Sequence, residues 1–359
     1  MSRLVIFTRF YPPFKGGAEI QTSRLALALA EQGVEVLVLT GQGPGADPIH
    51  PRLHVRRLNC NHIRGLGTLI YCFKAFFLGL GFRPTAVLPV LVSDTVLIAW
   101  LVSCLRRAKR FYRLAGAGAT GDLAVSGRSQ RRQLIYRRLL RKFHLVAISS
   151  ELRHESLTAG WASAKVYLIP NGVLMPDAAA THDGQKTILC LGRLSPEKGF
   201  DLAIQAFAAS GLASEGWRLR ICGEGGERQA LEKMAGSLLN AGIEMPGNID
   251  ELSDEWARCS IFLLPSRFEG MSNALLEAMA AARPVISTRV SGVEDLLADG
   301  ESGLLVKSED VAALKTGLQK LAASQELRRR LGAASFVAAR TRVDVKITAM
   351  AWRQLIDAS

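Results

Sequence analysis

The chain is poor in the residue patterns that build metal centres and disulfide scaffolds. Its six cysteines, Cys60, Cys72, Cys104, Cys190, Cys222 and Cys259, include no CxxC pair. Most stand within apolar segments, which predicts free thiols in a reduced, cytoplasmic compartment. The six histidines form no HExxH or other paired spacing, so no built-in zinc site is expected. Asp-x-Asp does not occur, so the spacing that commonly holds a divalent ion on a phosphate is missing. No stretch of 20 to 50 residues repeats. The start, Met1-Ser-Arg, runs directly into a strand-like Leu4-Val-Ile-Phe-Thr without a small-residue cleavage site, so no cleavable signal is expected.

Acidic residues are scarce in one half only. Residues 1–170 hold 24 Lys and Arg against 8 Asp and Glu, a net of +16; the remainder holds 21 against 24, a net of −3, and the two sum to the +13 of the whole chain. A one-sided basic field points to an anionic surface as partner, either nucleic acid or lipid headgroups. Nucleic acid is the weaker reading, because helix-turn-helix, zinc and aromatic-strand signatures are all missing. The basic run 128–142 has helical period, with Leu134, Ile135, Leu139 and Leu140 on one side and six arginines elsewhere. Together with Arg106, Arg107, Lys109 and Arg110 it reads as a patch for a membrane surface. Two apolar stretches, 66–82 and 87–105, carry too many polar residues for spanning helices of about 20 apolar residues. The first, with Lys74, reads as a buried or an interfacial helix, and the second as a strand followed by a buried helix.

What is present is a regular alternation. At 359 residues and 48% hydrophobic content the chain is ordered and sized for two domains of about 150 to 200 residues. Strand 3–8, a loop with Gly16 and Gly17, helix 20–32 and strand 34–40 open a parallel doubly wound sheet. The two glycines leave room for a ligand to approach, or simply make a tight turn. Segment 177–186, Ala-rich and aperiodic, reads as a linker. A second set follows: strand 187–191, the loop Gly192-Arg-Leu-Ser-Pro-Glu-Lys-Gly199, helix 200–209, strand 218–222 and helix 229–239. This predicts a 1–176 domain, a 185–340 domain and a C-terminal segment 341–359, the two domains facing across a cleft.

The densest pattern is LLPSRFEGMSNALLEAMAAARPVIST, residues 263–288. Residues 261–264 read as a buried strand closed by Pro265. A polar loop follows, then a helix with Asn273 as N-cap, then a strand. Glu269 and Glu277 flank the helix start, and in a parallel α/β sheet such a start attracts an anion. Arg193 and Lys198 lie on the other glycine-bounded loop, as a diphosphate leaving group would require. The run 113–122 fits GxGxxG through Gly116, Gly118 and Gly121, but it is mid-chain and no acidic residue follows about 20 positions on. It reads instead as a loop with Asp122 as a polar contact.

With these residues in place, the chain resembles the retaining GT-B glycosyltransferases of the family that includes mannosyltransferases and sucrose synthase-like enzymes (glycosyltransferase family 4, group 1). The resemblance rests on Gly16-Gly-Ala-Glu19, Ile169-Pro-Asn-Gly-Val173, the 192–199 loop and the Glu269/Glu277 pair, and it covers nearly the full length. It implies two Rossmann-like domains, the first for the acceptor and the second for a nucleotide-sugar donor, with the final helix crossing back to the first. The activity implied is transfer of a sugar, with retention, from a UDP- or GDP-sugar to a glycan or lipid-linked acceptor. The nucleotide-sugar is a co-substrate; no cofactor or metal is implied. Arg193 and Lys198 would hold the diphosphate and Glu269 would lie near the transferred sugar. Glu277 would accept from ribose hydroxyls. Backbone groups of Gly270, Met271, Ser272 and Asn273, with Gly192, Gly16 and Gly17, would approach the donor. Relatives often place a histidine in the first domain where Leu114-Ala-Gly stands here, so that contact falls to Asp122 or to backbone. A sugar-nucleotide epimerase of the same fold is the alternative.

Overall fold

The computed structural model describes residues 2–14, 16–41, 43–45, 47–60, 66–91, 93–116, 130–179 and 185–358. The chain forms two compact units, Met1–Gly172 with Val345–Ser359, and Val173–Asp344.

The first unit runs β1 (Arg3–Thr8), α1 (Gly17–Glu31), β2 (Glu35–Thr40), β3 (Leu53–Arg57), α2 (Gly67–Gly81), β4 (Ala86–Pro89), α3 (Asp94–Arg106), β5 (Lys109–Arg113), α4 (Gln130–Leu140), β6 (His144–Ala147), α5 (Ser150–Thr158) and β7 (Val166–Leu168). Its seven strands lie in the order β3-β2-β1-β4-β5-β6-β7, every pairing parallel. β1 sits inside this sheet, which is why Leu4, Val5, Ile6 and Phe7 are all buried and its sequence is a continuous apolar run. Crossovers to the right-hand side of β1 use α2, α3 and α4, while the β1-to-β2 crossover uses α1. Right-handed connections therefore place α2, α3 and α4 in one layer and α1 in the other.

The second unit runs β8 (Thr187–Leu191), α6 (Phe200–Ser210), β9 (Arg218–Cys222), α7 (Arg228–Ala235), β10 (Ile243–Gly247), α8 (Ser253–Arg258), β11 (Ile261–Leu264), α9 (Asn273–Ala280), β12 (Val285–Thr288), β13 (Leu304–Val306), α10 (Val311–Ala323) and α11 (Gln325–Arg342). Its sheet has the order β10-β9-β8-β11-β12-β13, again all parallel. Ile188, Cys190, Ile261 and Leu263 share one core with Phe207 of α6 and Leu314 and Leu318 of α10. The last helix, α12 (Val345–Asp357), belongs to the first unit. There Val345, Ala349, Trp352 and Ile356 join Leu25 and Leu29 of α1 in its core, and Trp352 meets Phe111 edge-on at 6.2 Å.

Two doubly wound parallel sheets are what the alternation of strands and helices predicts, and the central strands fall where the apolar runs stand. Four elements were not legible. β3 and β10 are edge strands with polar side chains, β5 (KRFYR) has only Phe111 and Tyr112 as apolar members, and α8 is a short polar helix. The helix expected at 229–239 closes earlier, at Ala235, and gives way to a 3₁₀ turn. Two members of the basic run 106–110 are not patch residues. Lys109 donates to the carbonyls of Ile356 (2.6 Å) and Ala358 (2.7 Å), and Arg110 donates to Ser103 Oγ (2.7 Å). These cations tie elements together inside the unit and are not left for a partner. Gly118, Gly121, Asp122 and residues 180–184 of the expected linker lie outside the described residues.

Candidate active site

In the second unit the chain leaves β8 toward β9 on one side, whereas β11, the strand on the other side of β8, continues away toward β12. Ligands of open α/β sheets bind at such a switch point, in the crevice beyond the carboxyl ends of the strands. Loops 192–199 and 265–272 flank it.

Backbone contact fixes these loops to each other. Gly199 has φ +63°, and a Cβ there would stand 2.1 Å from the carbonyl oxygen of Pro265; only glycine allows that approach. The amide of Arg267 donates to Glu197 O at 2.8 Å. The Arg267 guanidinium donates through Nη1 and Nη2 to the two carboxylate oxygens of Asp201, both at 2.8 Å. It also donates to Pro196 O at 2.9 Å and pairs with Glu309. The Arg267 hydrogen bonds hold the Asp201 carboxyl below the usual carboxylate range, against the opposing effect of burial. A neighbouring loop, 223–227, is locked on in the same manner. A Cβ at Gly223 would stand 1.8 Å from Gly192 O, Leu194 N donates to Glu224 O (2.9 Å) and Glu227 N donates to Leu194 O (3.1 Å).

Within this frame the structure brings Lys198 and Glu269 together: Nζ lies 2.6 Å from Oε1, with the side chains 23% and 8% exposed. Ser266, fully buried, donates its Oγ–H to the same Oε1 at 2.8 Å. The Ser266 carbonyl in turn accepts from Thr288 Oγ1 at 2.5 Å. A cation and a carboxylate from loops on either side of the switch point are thus held as a charge-assisted pair, braced by the ends of two adjacent strands.

The remaining candidates take these places. Arg193 is exposed on the first loop and Gly192 begins that loop, its amide donating to Cys222 O at 3.0 Å. Gly270 and Met271 precede α9, and Met271 is buried. Ser272, not Asn273, caps α9: its Oγ accepts from Leu275 N at 3.3 Å and Asn273 is the first helical residue. The cap thereby takes one of the N–H groups that a helix start otherwise offers an anion. Glu277 stands half-buried on α9, between buried Leu276 and Ala278.

Gly16 and Gly17 lie at the start of α1 in the first unit. The room expected at Gly16 is occupied, because a Cβ there would fall 2.0 Å from Glu19 Oε2 and Glu19 is buried at 6% exposure. The chain's own carboxylate sits over the positive end of α1. Cys190, Cys222 and Cys259 are buried in the second unit, and burial pushes the Cys222 and Cys259 thiols up to about 12, which removes them as nucleophiles.

Sequence reasoning missed Arg267 and Ser266. Both lie in the quoted 263–288 stretch, but their roles depend on partners in space.

The fold and site define a two-unit, doubly wound α/β protein of the GT-B class whose second unit gathers opposite charges at its switch point. Residues 175–336 match the family "Glycosyl transferases group 1" and residues 16–172 match "Glycosyl transferase 4-like domain", and the chain belongs to this glycosyltransferase family. It is 32% identical over 221 residues to a phosphatidyl-myo-inositol mannosyltransferase of Mycobacterium leprae, covering 57% of this chain and 58% of that protein. It is 34% identical over 202 residues to an exopolysaccharide phosphotransferase of Streptomyces coelicolor, covering 55% of this chain and 21% of the relative. Matches to six other curated relatives span 36 to 45% of their lengths. Among solved structures, the Anabaena HepE protein in complex with UDP-glucose superposes with a TM-score of 0.79 at 18% identity, covering 99% of this chain and all of that one. Sucrose-phosphate synthase from Thermosynechococcus elongatus gives 0.78 at 20% identity, covering all of both chains.

Proposed function

We propose that the chain is a metal-independent, retaining glycosyltransferase that moves a sugar from a nucleotide-diphosphate sugar to a glycan or lipid-linked acceptor in polysaccharide or glycolipid synthesis. The observation that carries this reading is the Lys198–Glu269 pair at the switch point of the second unit (2.6 Å). A departing nucleoside diphosphate gains negative charge as the glycosidic bond breaks, and preorganised cations lower the cost of that charge. Lys198 and the exposed Arg193 supply them from one rigid loop, and the N-terminal end of α9 adds its dipole. On this reading Glu269, held on Lys198 and Ser266, receives sugar hydroxyls, and Glu277 those of the ribose. The relatives support the reading: a mannosyltransferase, and a structural neighbour that holds UDP-glucose.

Thermal shift against a panel of nucleotide-sugars tests it, since a ligand that binds only the folded state raises the melting temperature. One UDP- or GDP-sugar is expected to stabilise the protein, and Arg193→Ala to cut turnover of that donor by roughly two orders of magnitude. A flat panel, or full turnover in the variant, would overturn the assignment. The anomeric configuration of the product, read by NMR, tests retention.

A further inference from the structure

The layer formed by α2, α3 and α4 in the first unit is apolar on the side that faces water. On α2 the exposed large side chains are Leu66, just before the helix, then Leu69, Phe73, Phe77 and Leu78 at 42 to 67% exposure. Leu66, Leu69, Phe73 and Phe77, spaced by three, four and four, follow one helical stripe, and Leu78 borders it. The opposite stripe, Tyr71, Ala75 and Gly79, is buried, and Tyr71 Oη donates to Leu39 O beneath it. The stripe directed outward is thus the more hydrophobic one, the reverse of an ordinary surface helix. Leu97, Leu101 and Leu105 of α3 and Leu134 and Ile135 of α4 are exposed as well; α3 packs against α2, and α4 against α3.

The charge around this face is mostly positive among the described residues. Lys74, Arg83, Arg107 and Arg138 are exposed on or beside it; Arg106, also exposed, donates its Nε–H to Leu80 O at 2.9 Å. Asp94, at the start of α3, is engaged by Tyr136 Oη at 2.6 Å, and α2 contains no acidic residue. Among the described residues no helix is long and apolar enough to cross a membrane; α2, with 15 residues, extends about 22 Å against a hydrocarbon core of about 30 Å.

We infer that the α2–α3–α4 face docks on the surface of an anionic lipid bilayer, inserting Phe73, Phe77 and their leucine neighbours at the headgroup–acyl boundary with the lysine and arginines against the headgroups. Phe73 and Phe77 contact each other at 4.7 Å between ring centroids, and Phe76 meets Phe77 at 5.2 Å. This aromatic cluster leaves water on entering an apolar phase. A basic rim around an apolar centre is complementary to anionic headgroups over acyl chains. The docking therefore has two separable components, apolar insertion and charge attraction, and the second alone is screened by salt.

Co-sedimentation of the full chain with vesicles tests this without donor or acceptor, so its failure leaves the transferase reading standing. The wild type is expected to bind vesicles of phosphatidylcholine and phosphatidylglycerol in equal parts, and to bind pure phosphatidylcholine much more weakly. Phe73→Ala/Phe77→Ala, both exposed and therefore neutral to folding, is expected to weaken partitioning about tenfold or more. Lys74→Gln/Arg107→Gln is expected to remove most of the salt-sensitive part while keeping the rest. Failure of the wild type to bind either vesicle would overturn the inference, as would binding unchanged by the phenylalanine pair. A self-associated wild type that the phenylalanine variant turns monomeric, with no vesicle binding, would assign the face to a second copy of the chain instead.

Discussion

Replacing Lys198 by Met tests whether the pair at the switch point is coupled. The Glu269 carboxylate is 8% exposed and receives Lys198 Nζ at 2.6 Å and Ser266 Oγ at 2.8 Å. Lys198→Met fills most of the stem's volume but leaves the carboxylate with one neutral donor. Breaking a buried pair costs about 3–5 kcal/mol. Lys198 is 23% exposed and Ser266 remains, so a cost of about 2–3 kcal/mol is expected here. For a unit of this size, that corresponds to a fall in melting temperature of roughly 4–12 °C. Glu269→Gln keeps the shape and an acceptor for Ser266, and in the double variant no unpaired carboxylate remains. The double variant is therefore expected to recover about 1–2 kcal/mol relative to the sum of the single ones. Denaturant unfolding of the four proteins, at matched slope, gives the cycle. Additivity within about 0.5 kcal/mol would show that the two groups are not coupled and would refute the reasoning.

Gly199→Ala places a methyl group 2.1 Å from Pro265 O at a φ of +63°. Relief requires the two loops to part by roughly 1 Å, and displacement on that scale at a reacting site costs about 100-fold; kcat is expected to fall by that order while donor binding, read by thermal shift, weakens less. Asp201, whose folded carboxyl is depressed by Arg267, gives stability that is present above its unfolded value of about 4 and lost as the pH falls through the lower folded value. Denaturant midpoints below pH ~4 are therefore expected to drop more steeply for the wild type than for Asp201→Asn; equal slopes would contradict the clamp. On the diphosphate role proposed for Arg193 and Lys198, turnover is expected to survive EDTA, and a strict requirement for added Mg²⁺ or Mn²⁺ would reject that role.

The central strands were legible because a strand buried on both faces needs an unbroken apolar run, as in Ile261–Leu264. The glycine-bounded loops were legible because charged residues beside glycines after such a strand have few other uses. What was not legible depends on distant partners. Nothing near Gly16 announces that Glu19 folds back over it, and nothing in Lys109 or Arg110 distinguishes a patch residue from one bound to a carbonyl. The stretch 66–82 could serve as a buried or an interfacial helix by composition. Only the outward turn of Phe73 and Phe77 separates the two.

The two ion pairs that tie loop 265–272 to loop 192–199 and to the first turn of α6 differ in the cation, and the difference fits a division of labour. Arg267 presents a planar fork whose donors meet Asp201 twice, Pro196 O and Glu309. A ligand oxygen would have to displace several bonds at once to capture it. Lys198 presents a compact ammonium with three donors and meets Glu269 with one of them. It is a point charge on a flexible stem, able to turn from carboxylate to phosphate without dismantling the loop. An arginine at the clamp thus keeps the crevice in shape with or without ligand, and a lysine at its centre leaves the charge exchangeable. Exchanging the two residue types, Arg267→Lys and Lys198→Arg, should therefore harm different properties, stability in the first and turnover in the second.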